Sequence, residues 1–387
     1  MKWKFYSLAF VAGMSILTAC SSDDNNDNDG NGGNGNGNEI ENGTILKGTI
    51  TSDVTLAAGN TYKLSGEYIV EEGATLHIEE GVKIIAVYDD IADYILVKQG
   101  GKINAVGTPD KPIVMTSEKE EPGAWGGIHI CGRAHTNAEG GKGSSEIGGA
   151  VYGGNDDADN SGTLQYIRLE YTGFAFDEEH EANGISFYGV GNGTIVDHCQ
   201  AYKGSDDGFE FFGGSVNVSN LVAVSCSDDS FDWTEGWNGK GTNLVAYQEA
   251  ESTLGYDCDC LMECDNNGSN NAATPVAHPV LKNLILVGNG GSKQGIRLRA
   301  GTEVEIDNAK VCGKGQPLTV ETALTENALK NGTSKLTNIT LTSELSSKEG
   351  IYTHADFIAV TSNKVDANLS YSSFEDIKKE CSWMNGN

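Results

Sequence analysis

Short apolar segments alternate with glycine-containing or acidic turns along most of the chain. Between residues 42 and 133, segments such as Tyr68-Ile69-Val70 and Leu76-His77-Ile78 are separated by turns such as Glu71-Glu72-Gly73. Apolar segments of this length between turns are typical of strands rather than helices. The pattern predicts further strands at 166–171, 185–188, 194–202, 218–225, 243–247, 281–287, 295–299 and 303–306.

One heptapeptide pattern occurs twice at the centre of the chain. Ser205-Asp206-Asp207-Gly208-Phe209-Glu210-Phe211 is followed, 22 residues later, by Ser227-Asp228-Asp229-Ser230-Phe231-Asp232-Trp233. A period of about 20–25 residues is typical of a solenoid, in which each coil buries its apolar side against the next coil. The sequence therefore predicts an all-β parallel β-helix with one coil per period.

If the two copies occupy the same corner of consecutive coils, their side chains form columns with a spacing of about 4.8 Å. The predicted columns pair Asp206 with Asp228, Asp207 with Asp229, Glu210 with Asp232, Phe209 with Phe231, and Phe211 with Trp233. The aromatic columns are expected inside the coil, because burial of apolar surface is its main source of stability.

Three long insertions interrupt the predicted strands, at 135–160, 174–183 and 250–279. Insertions in a solenoid tend to gather on one face, which often binds a ligand. Near the C-terminus, residues 318–330 have helical spacing. The last residues, including 374–381 and Trp383, are predicted to cap the open end of the coil, where an edge would otherwise be exposed.

The composition is rich in glycine and strongly acidic. The 387 residues include 51 glycines, 26 basic residues and 55 acidic residues, and the formal net charge is −29. Such a charge repels phosphate backbones and anionic membrane surfaces, and it favours divalent cations, neutral glycans or basic partners. Nucleic acid is therefore not an expected partner.

The N-terminal residues have the pattern of a secretory signal. Lys2 and Lys4 precede an apolar run over 5–18 that is too short to span a bilayer comfortably, and the run ends in Leu17-Thr18-Ala19-Cys20. This ending resembles the lipobox of bacterial lipoproteins, and the resemblance implies that Cys20 carries lipid and attaches the protein to the membrane.

A polar segment rich in glycine and asparagine follows Cys20 and is predicted to be a flexible tether. Its start, Ser21-Ser22-Asp23-Asp24, resembles an acidic signal of Gram-negative lipoproteins, which implies the outer membrane and its exposed surface. The predicted organisation is a signal peptide at 1–19, a tether at 20–40, a parallel β-helix at 41–310, and the last coils with a C-terminal cap at 311–387.

Several segments carry a family resemblance. They are Gly73-Ala74-Thr75-Leu76-His77-Ile78, Gly107-Thr108-Pro109-Asp110-Lys111-Pro112-Ile113-Val114, Trp125-Gly126-Gly127-Ile128 and Ser161-Gly162-Thr163-Leu164-Gln165-Tyr166-Ile167-Arg168-Leu169-Glu170. Together with the Asp-Asp repeats, they resemble Gram-negative surface lipoproteins with the right-handed parallel β-helix, or pectin-lyase-like, fold. The resemblance extends to about Gly290; it implies the fold and leaves the activity open.

The acidic columns allow three interpretations. In the first, the aspartates accept hydrogen bonds from backbone amides in tight turns. In the second they bind calcium, which takes 6–8 oxygen ligands and would relieve the repulsion between carboxylates. The possible calcium ligands are Asp206, Asp228, Glu210 and Asp232. A second, fainter calcium pattern is Asp157-x-Asp159-x-Ser161-Gly162.

The third interpretation is catalysis. Gly204-Ser205-Asp206-Asp207 resembles the Gly-Asp-Asp turn of β-helical polygalacturonases, although that family's Asn-Thr-Asp and Gly-His-Gly motifs are missing. The resemblance makes Asp206, Asp207, Asp228 and Asp229 the candidates for the acid and base of a glycoside hydrolase. In a lyase, a basic residue would remove the proton, and the candidates are Arg297 and Arg299.

The main functional hypothesis is that a cell-surface lipoprotein binds an extracellular ligand, with a polysaccharide or other glycan as the favoured class, along one face of the coil. Its carboxylates would accept hydrogen bonds from sugar hydroxyls, and aromatic rings, if exposed, would stack on sugar rings. The predicted ligand-binding residues are Asp207, Asp229, Asp232, Trp237 and Tyr247. The alternatives are a polysaccharide-degrading enzyme, or an adhesin or scaffold for an outer-membrane uptake complex with a TonB-dependent channel.

Eight cysteines remain after Cys20, namely Cys131, Cys199, Cys226, Cys258, Cys260, Cys264, Cys312 and Cys381. An exported protein can form disulfides, but the sequence does not define the pairing. Cys258, Cys260 and Cys264 lack the second cysteine pair or the nearby histidine of a zinc site, so zinc is the less favoured interpretation.

Overall fold

A computed structural model describes residues 38–89, 91–176 and 180–384. Within these residues, 25 strands form one continuous parallel assembly and two more form a small hairpin. The strands are Asn38–Glu39, Ile45–Ile50, Val54–Leu56, Thr61–Val70, Thr75–Ile78, Lys83–Ala86, Tyr94–Val97, Lys102–Val106, Ile113–Ser117, Ile128–Cys131, Gly143–Ser144, Val151–Tyr152, Gly162–Glu170, Ile185–Tyr188, Ile195–Tyr202, Phe209–Phe212, Asn217–Val224, Phe231–Thr234, Lys240–Tyr247, Met262–Cys264, Val280–Val287, Gln294–Leu298, Glu305–Cys312, Gln316–Val320, Lys335–Leu341, Ser346–Ser347 and Lys364–Val365.

Helices are few and short. The α-helices are Glu251–Leu254, Ala323–Asn331, His354–Ala359 and Phe374–Glu380, and the 3-10 helices are Glu139–Gly141 and Ser382–Met384. In the described part of the chain, no helix has the length and apolar character that crossing a membrane requires.

Each central coil consists of a short strand and a longer strand that bends. In Lys240–Tyr247 the bend lies at Asn243, whose φ is 59°. Asparagine tolerates this left-handed conformation better than most residues. The short strands stack as a separate face of the coil, which we call the groove sheet. Its members are Tyr94–Val97, Ile128–Cys131, Ile185–Tyr188, Phe209–Phe212, Phe231–Thr234, Met262–Cys264, Gln294–Leu298 and Gln316–Val320.

The register confirms the 22-residue coil predicted from the repeat. Phe209 pairs with Phe231, Glu210 with Asp232, and Phe211 with Trp233. The Phe209 and Phe231 rings are stacked in the interior with centroids 5.6 Å apart. Strand predictions are also close: the predicted 194–202 is Ile195–Tyr202, and the predicted 281–287 is Val280–Val287.

The prediction of a helix at 318–330 was wrong about where the helix begins. Gln316–Val320 is a strand of the groove sheet, with Leu318 and Val320 buried in the coil, and the helix spans Ala323–Asn331. The apolar residues of the strand happen to continue the helical spacing, and strand pairing with Gln294–Leu298 decides between the two.

The C-terminal region has two parts with different positions. Phe357, on the helix His354–Ala359, belongs to the interior cluster of the coil, as expected of a cap. Residues 369–384, which we call the C-terminal strap, instead pack on the outside of the coil against residues such as Val245 and Ile285. The prediction that 374–381 and Trp383 close the open end was therefore wrong, because their apolar side chains cover a lateral face.

The eight cysteines of the body are free thiols, and all of them are buried. Burial raises the pKa of these thiols, for example to about 12 for Cys226 and Cys258. These cysteines therefore behave as small apolar core residues. Residues 1–37 lie outside the described residues, so the predicted signal peptide, lipidated Cys20 and tether stay predictions.

Candidate functional site: an acidic groove

The repeated Asp-Asp turns align their carboxylates from coil to coil. Asp207 Oδ1 accepts a hydrogen bond from the Asp229 backbone N–H at 2.8 Å, and Asp229 Oδ1 accepts one from the Cys260 N–H at 2.6 Å. A Cβ at Gly208 would lie 2.7 Å from the Ser230 carbonyl oxygen, so this turn needs glycine. One oxygen of each of these two aspartates therefore accepts a backbone hydrogen bond, but the donor lies on the next coil and not within the same tight turn, as the first interpretation expected.

A second polar column runs along the outer face of the groove sheet. The strand register places Ser186, Glu210, Asp232, Glu263 and Arg297 in line on successive coils. Their neighbours in each strand point into the core, because strand side chains alternate between faces. Four carboxylate or guanidinium groups are therefore held at strand spacing beside the Asp-Asp turns.

Turns, strands and insertions together form a groove of about 340 Å³, which we call the acidic groove. Among the described residues it is lined by ten carboxylates and one guanidinium, namely Glu146, Glu181, Asp206, Asp207, Glu210, Asp228, Asp229, Asp232, Asp259, Glu263 and Arg297. The three predicted insertions contribute Glu146, Glu181, Asp259 and Glu263, which confirms that they gather on one face.

The cationic groups near the groove are held at one end of it. Arg297 pairs with Glu263 at 2.8 Å and with Glu321 at 3.3 Å, and Arg299 pairs with Asp265 at 2.7 Å. Burial lowers the pKa of the Arg299 guanidinium, but the hydrogen bond and ion pair with Asp265 outweigh this and raise it, so the group stays charged. Within the part of the chain that the structure describes, Asp206, Asp207 and Glu210 form no ion pair with a cationic side chain. The ion pairs of Arg297 also make it a poor proton acceptor for a lyase.

Burial is the largest cause of the raised pKa values in the groove, and neighbouring carboxylates add to it. The pKa of Asp206 rises to about 8, that of Glu146 to about 7, and that of Asp228 to about 6. The pKa values of four further carboxyls lie well above their ordinary range, namely Asp207, Glu210, Asp229 and Asp232. Without a counter-ion, the groove can relieve its charge only by holding protons.

The carboxylates converge closely enough to share cations. In each of three groups, ligand oxygens lie within 4.8 Å of one another: Asp206 with Asp207 and Asp228, Asp207 with Glu210 and Asp232, and Asp229 with Asp232 and Glu263. An all-oxygen donor set with bidentate carboxylates fits calcium. A fourth group joins Cys260 to Asp229 and Asp259, but burial and these acidic neighbours disfavour its thiolate.

The chain matches a known family over most of its length. A model described as "Pectate-lyase like beta helix domain" matches residues 48–386. The chain belongs to this family. The family and the parallel coil confirm the pectin-lyase-like architecture inferred from the sequence.

Among solved structures, this β-helix is similar to the crystal structure of the Dettilon tailspike protein (gp208), with a TM-score of 0.31 and 9% sequence identity. The match covers 77% of this chain and 56% of the tailspike chain. A comparison with curated proteins gives no match.

Two predicted ligand-binding residues of this β-helix are not in the groove. Trp237 is 1% exposed and stacks on Phe211 inside the coil, with ring centroids 4.2 Å apart, so it cannot stack on a sugar. Tyr247 lies on a bent strand and packs against Phe374 of the C-terminal strap at 5.6 Å. The prediction was wrong for both residues, because each aromatic ring is used for packing.

The aspartates of the second, fainter calcium pattern, in the 135–160 insertion, accept hydrogen bonds from nearby groups. Asp157 Oδ1 accepts a hydrogen bond from the His135 backbone N–H at 3.1 Å, and it lies 2.6 Å from His135 Nδ1. Asp159 Oδ2 accepts a hydrogen bond from the Arg133 N–H. These contacts shape the loop and do not converge on one point.

Four residues of the acidic groove were not among the predicted site residues: Glu146, Glu181, Asp259 and Glu263. A usable signal existed for two of them. Asp259-Cys260-Leu261-Met262-Glu263-Cys264 is a third copy of the acidic pattern, with Glu263 in register with Asp232. The copy is displaced because the insertion after Tyr247 lengthens that coil. Glu146 and Glu181 lie in irregular loops, where no periodicity marks them.

Proposed function

We propose that the acidic groove binds at least two calcium ions and, through them, an acidic polysaccharide. The observation that carries this proposal is the convergence of ten carboxylates in one groove whose cationic groups are held at one end. Such an arrangement is costly for an empty site, because like charges and burial both oppose ionisation. Divalent cations offset that cost.

The number of ions follows from the grouping of the ligands. The group of Asp206, Asp207 and Asp228 shares no residue with the group of Asp229, Asp232 and Glu263. Each group offers three carboxylate groups, although one oxygen of Asp207 and one of Asp229 already accept a backbone hydrogen bond and Glu263 also pairs with Arg297. Calcium takes 6–8 ligands, so each site would need further oxygens from outside the protein. Two ions therefore have separate ligand sets, and the third group, which contains Asp207 and Asp232, lies between them.

The proposed polysaccharide ligand follows from the incomplete coordination shells of the ions, which need oxygen ligands from outside the protein. The groove is open to solvent along one side, so water or ligand carboxylates complete each coordination shell. A chain of net charge −29 repels a uronate polymer unless bound cations intervene. The family, whose description names pectate lyase, supports a carbohydrate ligand.

We expect the double variant Asp207→Asn, Asp232→Asn to lose calcium affinity by at least about tenfold, as it removes carboxylates from all three groups. Isothermal titration with calcium measures the effect, and pull-down with polygalacturonate, with and without EDTA, measures its consequence for the glycan. Asp110→Asn, in an exposed turn, is the matched control. Unchanged calcium affinity in the double variant would rule out the groove as the cation site.

A second candidate function is hydrolysis of the polysaccharide. The pKa of Asp206, raised to about 8, and that of Asp228, raised to about 6, separate a proton donor from a more readily ionised partner, as a glycosidase requires. In this case calcium would inhibit, because it demands ionised ligands. Release of reducing ends that increases with EDTA would favour hydrolysis over calcium-mediated binding, and ultraviolet-absorbing unsaturated ends would indicate a lyase.

We also propose that the protein acts on the outer-membrane surface, attached through lipid on Cys20. The support is the lipobox sequence and the acidic residues after it. Cells expressing the wild type should incorporate labelled palmitate into the protein, and Cys20→Ala should abolish the label. Protease treatment of intact cells tests surface exposure; a protected wild-type protein would contradict it. The TonB-dependent partner stays a prediction.

A further inference from the structure

A second polar pocket lies at another corner of the coil, away from the acidic groove. It has a volume of about 220 Å³ and lies between the bends of the long strands and the end of the C-terminal strap. The lining residues that matter here are Asn243, Asn283, Asn308, Lys310, Glu380 and Trp383. We call it the C-terminal pocket.

One wall of the C-terminal pocket is a ladder of asparagine amides. Asn308 Nδ2 donates to Asn283 Oδ1 at 2.9 Å, Asn283 Nδ2 donates to Asn243 Oδ1 at 3.0 Å, and Asn243 Nδ2 donates to Asn220 Oδ1 at 2.8 Å. Each bond uses one N–H and one oxygen lone pair, and each amide has two of each. The exposed amides of Asn283 and Asn308 therefore keep a donor and an acceptor at each coil.

The indole of Trp383 also lines the C-terminal pocket. Its ring packs partly against the apolar cluster beneath the strap and is partly exposed. The other tryptophans that the structure describes, Trp125, Trp233 and Trp237, are at most 1% exposed. Trp383 thus adds an aromatic surface to a pocket that also contains a row of neutral donor and acceptor pairs.

The charges in this pocket cancel. Lys310 and Glu380 form an ion pair with each other, and the three asparagines are neutral. The net charge of the whole chain opposes entry of an anion. The pocket therefore suits an uncharged ligand with paired hydroxyl groups on one side and C–H groups on the other.

We propose that the C-terminal pocket binds a neutral sugar ring, with vicinal hydroxyls on the Asn283 and Asn308 amides and a C–H face on Trp383. This site needs no cation and is independent of the acidic groove. Amides repeated at strand spacing also allow a neutral oligosaccharide to extend along the ladder.

The test uses the full chain with Trp3→Phe, so that Trp383 is the accessible indole. Acrylamide quenching of tryptophan fluorescence is measured with neutral hexasaccharides of glucose, mannose and galactose, each with EDTA present. At least one hexasaccharide should protect Trp383 from quenching. No protection by any of the three, or protection by a Gly-Ser peptide in their place, would overturn the proposal.

Two variants separate binding from folding. Asn283→Asp keeps a side chain that tolerates its φ of 59° but removes the amide donor, and it should weaken hexasaccharide binding by about tenfold in titration calorimetry. Trp383→Ala should weaken binding at least as much, while calcium binding at the acidic groove stays unchanged. Wild-type affinity in Asn283→Asp would refute the role of the ladder.

Discussion

Replacing Trp237 with alanine is expected to lower the free energy of unfolding by about 3–5 kcal/mol, the usual range for a buried aromatic side chain. The indole stacks on Phe211 and its Nε1 donates a hydrogen bond to the Val216 carbonyl oxygen at 3.2 Å. Alanine would leave a cavity and an unpaired carbonyl group in the middle of the coil. Urea unfolding followed by circular dichroism measures the loss.

The control for Trp237 is Ile195→Ala, because Ile195 is 52% exposed on the outside of the same coil stack. This exposed substitution should change stability by no more than about 0.5 kcal/mol. Wild-type stability in Trp237→Ala would mean that the side chain is not part of the core, and would restore it as a candidate for ligand stacking.

The repeat predicted much of the architecture because strand pairing copies one coil onto the next. Phe209 and Phe231 share a residue type, a place in the pattern and a position in the ladder, so the period alone gives their register. The register of Glu210 with Asp232 follows from the period for the same reason. Columns of like residues are thus visible in the sequence wherever a coil has its basic length.

The positions of the aromatic residues depended on contacts between distant segments. Trp237 follows a strand in a turn, and the sequence does not show that this turn folds the ring inward onto Phe211. Tyr247 is covered because the strap returns from 369–384, more than a hundred residues later. An alternating pattern assigns faces within a strand, but it does not say what covers an outer face.

The groove was predicted only in part, because four of its ten carboxylates come from the insertions. Glu146 is positioned by the fold of its loop, where Tyr188 donates a hydrogen bond to Glu146 Oε2 at 3.3 Å. Tyr188 belongs to the groove sheet, whereas Glu146 lies 42 residues earlier. The sequence identified these insertions as a binding rim, but their conformations were needed to bring the charges together.

With divalent cations removed, thermal stability is expected to decrease as the pH rises from about 4 to 8. The folded-state pKa values of Asp228, Glu146 and Asp206 are raised to about 6, 7 and 8. A raised folded-state pKa means that the fold binds the proton more tightly than the unfolded chain does. The stabilisation is therefore complete below the unfolded-state pKa and is lost as the pH passes the folded-state values.

Calcium should reverse this trend, because it binds the ionised carboxylates of the folded protein. At a concentration of 100 Kd, one site contributes about 2.7 kcal/mol, so two sites should raise the melting temperature at pH 8 well above that of the chelated protein. Differential scanning calorimetry over this pH range, with EDTA or with calcium, measures both effects. A chelated protein with a flat pH profile would contradict the buried charge cluster.

The variant Asp232→Asn should distinguish two effects of this carboxylate, namely its repulsion of the neighbouring groove carboxylates and its contribution to calcium binding. Asp232 belongs to two of the three ligand groups, and its pKa is raised by burial and by neighbours such as Glu263. Removing its charge should stabilise the chelated protein at pH 8 and, at the same time, reduce the stabilisation by calcium. Destabilisation of the chelated form would instead show that this carboxylate supports the fold without a cation, and the groove would then be a structural feature of the coil.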